Sequence, residues 1–262
     1  MEIHGWGRYT VVNAKVLEPL KISDIKSLII SNQKIIARGL GRSYGDSANN
    51  DIVIDITRLN TLVHFDLQEG IIICEAGMSI QEINKLTIPK GWLIPVTPGS
   101  AYVTIGGAIA SDIHGKNHHL DGTFSQYVLS ADIILGSGEM ITISKNTNAD
   151  LFRATCGGMG LTGVITSATI KLKSIRSNLI KQKTIPINSL EELCSQLEKN
   201  ASSTYSVAWI DCLAKSLEFS KSLLFLGEHI ENGDLISNEK KNNKFANKIL
   251  LFIFKKRNNK IF

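Results

Sequence analysis

The chain has 262 residues, 43% hydrophobic and 20% charged, an ordinary globular composition able to bury a substantial core. Its net charge of +5 belongs to the end of the chain: residues 240–262 hold eight Lys/Arg and no Asp/Glu, leaving 21 basic and 24 acidic groups, a net of −3, on the remainder. That distribution argues against a basic groove across the body and against a nucleic-acid partner. Cys74, Cys156, Cys194 and Cys212 are too widely spaced for a disulfide framework or a zinc site. They read as reduced, mostly buried thiols in a cytoplasmic protein. No basic flank precedes an apolar core at the start, and no window approaches ~18 apolar residues, so neither a secretory signal nor a membrane span is expected. The apolar run 249–254, flanked by lysines, is long enough only to touch a membrane surface.

In chain order, Gly5-Trp6-Gly7-Arg8 comes first, without periodicity. Ser23-Asp24 reads as the cap of an amphipathic helix to Ser31 with Ile25, Leu28 and Ile29 on one face. A short strand over 34–37 leads into a glycine-dense loop at 39–45. Strands are expected over 51–57 (Ile52, Ile54 and Ile56 on one face), 62–66 and 71–75. Ser79 with Glu82 forms a capping box that opens a helix to Leu86. Residues 105–113 read as a short helix, 128–136 and 140–144 as a hairpin, 150–155 as a helical turn and 164–172 as a strand. Beyond these come a strand over 183–187, a helix capped by Ser189 with Glu192, and strands over 205–211 and 223–227. After about Ser237 the text is Lys/Asn-rich and reads as a disordered or aberrant tail. Strands and helices do not alternate regularly, which favours an α+β fold over a doubly wound parallel sheet.

Three glycine-dense loops, at 39–45, 99–107 and 157–163, each adjoin a strand or a helix start. The first is either a plain loop or an anion-binding nest of converging N–H groups. The second opens the expected helix at Gly106-Gly107, where free N–H groups and the positive end of the dipole suit a phosphate. It runs on into His114-Gly115-Lys116-Asn117-His118-His119, a dense set of donors and titratable groups. None of the loops has the Rossmann or the P-loop pattern. A long ligand held by three separate backbone loops, such as a dinucleotide, accounts for the glycines. The three histidines lack an acidic or cysteine partner at ligand spacing, so no metal is expected. His114 reads either as a proton-handling group or as a satisfied structural histidine, and Lys116 either as an anion ligand or as a solvated loop lysine. Tyr44 and Trp209 read either as pocket walls or as core.

The strings Arg-Gly-Leu-Gly-Arg-Ser-Tyr-Gly-Asp (38–46), Asp-Ile-His-Gly-Lys-Asn-His-His (112–119), Cys-Gly-Gly-Met-Gly-Leu-Thr-Gly (156–163), Gly-Trp-Gly-Arg (5–8) and Ala-Trp-Ile-Asp (208–211) resemble the FAD-linked oxidases of the vanillyl-alcohol oxidase superfamily. Within it they are similar to the decaprenylphosphoryl-β-D-ribose 2-oxidase family, over roughly residues 5–230. The resemblance implies an α+β, PCMH-type FAD-binding domain of two subdomains over 1–175. The start of an antiparallel-sheet substrate domain would follow over 176–236, with 237–262 as the tail. It implies that Ala37, Arg38, Gly39, Leu40, Gly41, Arg42, Ser43, Tyr44, Gly45, Asp46 and Ser47 wrap the FAD diphosphate, aided by Gly99, Thr104, Ile105, Gly106 and Gly107. Ser111, Asp112, Ile113, His114 and Asn117 would line the flavin, and Ile165 would close over the adenine side. Arg42 stands where some relatives tether the flavin through a histidine, so the FAD is expected to be non-covalent.

The implied reaction oxidises the 2-hydroxyl of a polyprenyl-phosphoryl ribose to a ketone, with His114, Lys116, Tyr44 and Trp209 as the catalytic set. It carries with it an NAD-dependent reductase partner and peripheral contact with the inner membrane. A sugar-lactone or alditol oxidase of the same fold, or a flavin-binding remnant without catalysis, is the alternative. Family members continue well past this length and return a Tyr and a Lys to the flavin. The likeness here fades after Gly227-Glu228-His229, so the chain reads as truncated or frame-shifted and its turnover is expected to be weak or absent.

Overall fold

A computed structural model describes residues 1–32, 34–211 and 222–235. Cys212, the apolar run 249–254 and the expected tail over 237–262 lie outside the described residues.

The chain begins with a two-stranded antiparallel ribbon, β1 (Glu2–His4) with β2 (Val11–Asn13). There follow β3 (Lys15–Leu17), α1 (Ile22–Ser31), β4 (Ile36–Arg38) and β5 (Ile52–Asp55). β3 and β4 both run parallel to β5, which lies between them. A strand flanked on both edges and covered on both faces loses the simple alternation of a half-buried strand. Val53 is therefore fully buried against Ile3 and Ala14, while Ile54 and Ile56 enter the main core on the other side. The helix α1 starts two residues earlier than expected. Its N-cap is Lys21, and Asp24, not Ser23, completes the cap by accepting the Lys21 N–H at 3.2 Å.

The centre of the molecule is a five-stranded antiparallel sheet formed by β6 (Leu62–Asp66), β7 (Ile71–Glu75), β9 (Val128–Ile134), β10 (Met140–Ile143) and β11 (Val164–Lys171). Its order is β10-β9-β11-β7-β6. Before β9 come α2 (Ile80–Thr87), β8 (Trp92–Leu93), α3 (Ile105–Ala110) and α4 (His118–Asp121), and α5 (Ala149–Thr155) precedes β11. The capping box of α2 forms as expected: Ser79 Oγ accepts from Glu82 N, and Glu82 Oε2 accepts from Ser79 N. The helices α2 and α3 lay Ile80, Ile83, Ile105, Ala108 and Ile109 against Ile72, Cys74, Ile133 and Ile170. Each fully buried isoleucine of that set contributes about 1.5–3 kcal/mol relative to exposure.

β12 (Lys173–Ser174) pairs with β8. A second antiparallel sheet then forms from β13 (Ile180–Ile187), β14 (Tyr205–Trp209) and β15 (Ser222–His229), with β15 central. Pro186, which lacks an N–H, lies on the edge strand β13, where no further ladder is required of it. The helix α6 (Leu190–Lys199) covers one face of this sheet through Leu193 against Ile187, Leu224 and Leu226. Ser189 caps it as expected, but the Glu192 carboxylate reaches the Asn188 N–H instead of that of Ser189. The opposite face, carrying Tyr205, Val207 and Phe225, is turned toward the first part of the molecule. Among the described residues no helix is long and apolar enough to cross a membrane.

Candidate active site

The three glycine loops, far apart in sequence, meet around α3. At its start, Thr104 is both the N-cap and the neighbour of Gly39, where any side chain would run into Thr104 Oγ1. At its end, Gly157 N donates to Ile109 O (3.1 Å) and Met159 N to Ala110 O (2.8 Å). A Cβ added at Gly160 would come within ordinary contact of Ile36 on β4, the strand that feeds the first loop. One short helix thus organises loops drawn from residues 39 to 160.

The loops differ in what their N–H groups do. Among the described residues no N–H from Gly39 through Ser47 donates to a protein acceptor. Arg38 holds this segment open: its guanidinium donates to Ala48 O (3.1 Å), Asn49 Oδ1 (2.8 Å) and His4 O (2.7 Å). Burial draws the Arg38 pKa down from its ordinary value, and Asp55 opposes that shift. Gly41 has φ +63°, a left-handed conformation natural to glycine, and it lets the loop fold back over Arg38. A recess of about 380 Å³ lies here, lined by Gly5, Trp6, Arg8, Arg38, Gly41 and Arg42, with the Arg42 guanidinium 5.7 Å from the Trp6 ring centre. Unpaired N–H groups beside three guanidinium groups suit the diphosphate of a dinucleotide. Gly99 likewise faces open space, and the N–H groups of Gly99, Ser100 and Ala101 have no protein acceptor among the described residues.

The expectation for Gly106 and Gly107 is corrected. Ile105 N donates to Met78 O (2.9 Å), Gly106 N to Ala76 O (2.8 Å) and Gly107 N to Thr104 Oγ1 (3.2 Å), so the helix start offers no free donor there. Gly106 is small because α3 packs closely: an added Cβ would lie 3.1 Å from Ile56 Cδ1 and 3.2 Å from Ala76 Cβ. Two further expectations change in the same way. Ile165 is 4% exposed and its side chain belongs to the main core, not to a ligand wall. Asn117 is fully buried. Its Nδ2 donates to Pro95 O (2.7 Å) and Asp121 Oδ2 (2.6 Å), and its Oδ1 accepts from Thr97 N and Oγ1. The Asn117 side chain therefore positions the His-Gly-Lys loop, and its own hydrogen bonds are all taken up within the protein.

That positioning reaches further. Asp121 also accepts from Lys173 Nζ (2.8 Å) and Tyr127 Oη (3.2 Å). Burial alone would raise the Asp121 pKa, but the bonds from Lys173, Asn117 and Tyr127 outweigh it and hold the carboxyl below its usual value. Within the loop, Asp112 takes φ +38° and accepts from Ser125 N (2.8 Å). Ser111 and Ile113 are half-buried, and His114 is exposed with its ring edge-on to His118. Lys116 N donates to Thr97 O, while Lys116 O accepts from Ser206 N (2.9 Å) and His119 Nε2 donates to Ser203 O (2.8 Å). These last two bonds join the loop to the second sheet.

Between the loop and that sheet lies a largely apolar cavity of about 530 Å³, walled by Ile88, Leu93, Ile175, Ile180, Val207 and Phe225. Its polar lining includes Lys116, Thr97, Tyr205, His229 and Asn178. Of the four expected catalytic residues only Lys116 lines it. Tyr44 is 88% exposed at the tip of the first loop, and Trp209 is 46% exposed at the end of β14, two residues beyond Val207 on the same face. Tyr205 and His229 were not singled out by the sequence, because their pairing exists only in the register of β14 against β15. Two thiols are held protonated: burial pushes Cys74 up to about 12, and burial followed by the nearby Asp112 pushes Cys156 up to about 11.

Residues 16–144 match the family model described as FAD binding domain. Together with the unpaired N–H cradle, that match defines a PCMH-type FAD-binding domain with FAD as its cofactor. The chain is similar to the decaprenylphosphoryl-β-D-ribose oxidase of Mycolicibacterium smegmatis, 36% identical over 233 residues, which is 85% of this chain and 51% of the relative. It is also similar to cytokinin dehydrogenase 3 of Arabidopsis thaliana, 34% identical over 178 residues (60% of this chain, 32% of the relative). A third relative, the D-lactate dehydrogenase of Archaeoglobus fulgidus, is 28% identical over 171 residues (61% and 39%). The chain thus spans about half the length of the ribose oxidase and less of the other two.

Proposed function

We propose that this protein is an FAD-dependent oxidoreductase acting on a CH–OH group, and that its substrate is a polyprenyl-phosphoryl ribose oxidised at the 2-hydroxyl. The observation that carries the reading is the junction just described. A loop that leaves the cofactor domain is hydrogen-bonded to a second sheet, and the two enclose an apolar cavity with Lys116 at its polar side. A lipid-linked sugar phosphate needs an apolar wall for its chain and a cation for its phosphate, and both are present. A small soluble polyol, the substrate class of the alternative lactone or alditol oxidase, would have no use for that wall. When bound, FAD supplies the oxidising power by accepting a hydride. The residues of this chain do the rest. The 39–47 N–H groups and Arg42 hold the diphosphate, Lys116 orients the substrate phosphate, and the Asn117–Asp121–Lys173 network holds His114 and Lys116 in place.

The test begins with FAD added to the purified protein. We expect a bound flavin spectrum, with all the yellow colour released into the supernatant on acid precipitation. Colour retained on the polypeptide would disprove non-covalent attachment. Farnesylphosphoryl ribose is then added without oxygen at stoichiometric FAD, a single-turnover measurement that detects even slow chemistry. Bleaching by this compound but not by free ribitol or galactonolactone is expected. The reverse preference would move the assignment to the polyol oxidases.

A further inference from the structure

Tyr205 and His229 line the cavity beside Lys116 and face each other from neighbouring strands. Their rings meet edge-on, with centres 5.6 Å apart, and the Tyr205 hydroxyl lies 3.0 Å from His229 Nε2. The other ring nitrogen, Nδ1, is 3.1 Å from Ser177 O. A carbonyl oxygen can only accept, so Nδ1 carries the proton, Nε2 has its lone pair available, and the Tyr205 O–H donates to it. The register explains the pairing. Tyr205 stands opposite Gly227, whose missing side chain leaves room for the Tyr205 ring to lean along the strand toward His229. Burial first, then the charges of Asp121 and Glu228, push the Tyr205 phenol up to about 12, so it stays protonated through the neutral range. Asn178, also in the lining, keeps its Oδ1 buried with no donor among the described residues, while its Nδ2 is bonded to Leu235 O. The cavity thus presents a poised donor–acceptor chain within a largely apolar wall.

We propose that Tyr205 and His229 are a catalytic proton relay for the hydroxyl oxidised in this cavity, an inference that rests on the oxidoreductase reading above. The substrate O–H bond breaks and its proton passes to Tyr205 Oη, while the phenolic proton passes to His229 Nε2. His229 becomes an imidazolium still held by Ser177 O. The carbinol C–H bond breaks with its electron pair, which leaves as hydride to the FAD, and the C=O bond forms. The alcohol is oxidised, the FAD is reduced, and the tyrosine ends with the proton count it began with. His114 does not line the cavity and is not needed as the base.

The test uses the full chain loaded with FAD and farnesylphosphoryl ribose as the probe. Tyr205→Phe and His229→Gln are each expected to slow anaerobic flavin bleaching about 100-fold, the usual scale for general-base catalysis. Both should abolish the solvent deuterium isotope effect of the wild type, with FAD binding and circular dichroism unchanged. A readout independent of turnover is ¹⁵N-histidine NMR. His229 should show the neutral Nδ1–H tautomer, its Nε2 signal should move when the probe is added, and Tyr205→Phe should shift that signal without any probe. Bleaching at the wild-type rate in both variants would overturn the relay alone and leave the oxidoreductase reading intact. So would a His229 signal that neither the probe nor Tyr205→Phe moves. A wild-type protein that binds FAD but is never bleached by the probe would overturn the substrate reading, and the relay with it.

Discussion

The first glycine loop and the Gly106-Gly107 helix start look alike in the sequence and behave oppositely in the fold. In the first, the N–H groups of residues 39–47 have no acceptor among the described residues, and the glycines give the backbone its shape. In the second, every N–H at the start of α3 has an acceptor, and the glycine lets α3 pack against Ile56 and Ala76. Glycine by itself means close approach. Whether a ligand or the protein's own core makes that approach depends on which carbonyls the rest of the fold delivers. One loop keeps its donors free, as an anion site requires, and the other is part of the foundation beneath it.

That contrast is most severely tested at Gly77, which presents the Ala76 and Met78 carbonyls to α3 and whose added Cβ would run into the carbonyls of Ile56 and Leu59. Gly77→Ala should cost ~3 kcal/mol or more in urea unfolding, and FAD binding should fail only as folding fails. A well-folded Gly77→Ala protein would break the account of the helix start. Next in size, Arg38→Met removes three hydrogen bonds that hold the first loop open. The dissociation constant for FAD should rise about 100-fold by fluorescence titration, equivalent to ~2.7 kcal/mol, with a much smaller loss of melting temperature. Equal losses in both would mean that the loop is scaffold after all. Thr104 belongs to both regions, as cap of Gly107 and neighbour of Gly39. Thr104→Val should cost about 1 kcal/mol of stability by thermal unfolding and also weaken FAD binding. The smallest change is Gly45→Ala, where nothing lies within 4 Å. Stability should stay within about 0.5 kcal/mol of wild type while FAD binds several-fold more weakly, and a stability loss with unchanged binding would reverse the assignment.

The parts of the fold that were legible in the sequence are those set by local rules. The ends of β6 and β7, the β9–β10 hairpin and the Ser79 and Ser189 caps depend on alternation, a glycine turn and a hydroxyl two or three residues before an N–H. The α1 cap was misread because Asp24 reaches back to Lys21, a bond the Ser23-Asp24 pair does not distinguish from its own capping. The burial of Val53 was missed because it requires a parallel neighbour on each side of β5. At the site, the three glycine loops and the His-Gly-Lys string were visible, but the role of each residue was not. The Asn117 side chain is saturated by Pro95, Thr97 and Asp121, partners that only the folded loop brings within reach. Tyr205 and His229 sit 24 residues apart on strands whose register the sequence does not state, and the one available clue was Gly227 falling opposite Tyr205.

The bonds from Ser206 to Lys116 and from His119 to Ser203 make the His-Gly-Lys loop an honorary neighbour strand of β14. A consequence follows for modularity. The two parts of this molecule are not interchangeable cartridges, because the second sheet sets the height and tilt of a loop that leaves the first. Grafting the β13–β15 sheet of a different oxidoreductase onto this cofactor domain would import its own docking geometry. Specificity could then shift through the graft even if every residue touching the ligand were kept. Recombination that respects the seam would have to carry residues 115–119 and 203–206 together as one inheritance unit.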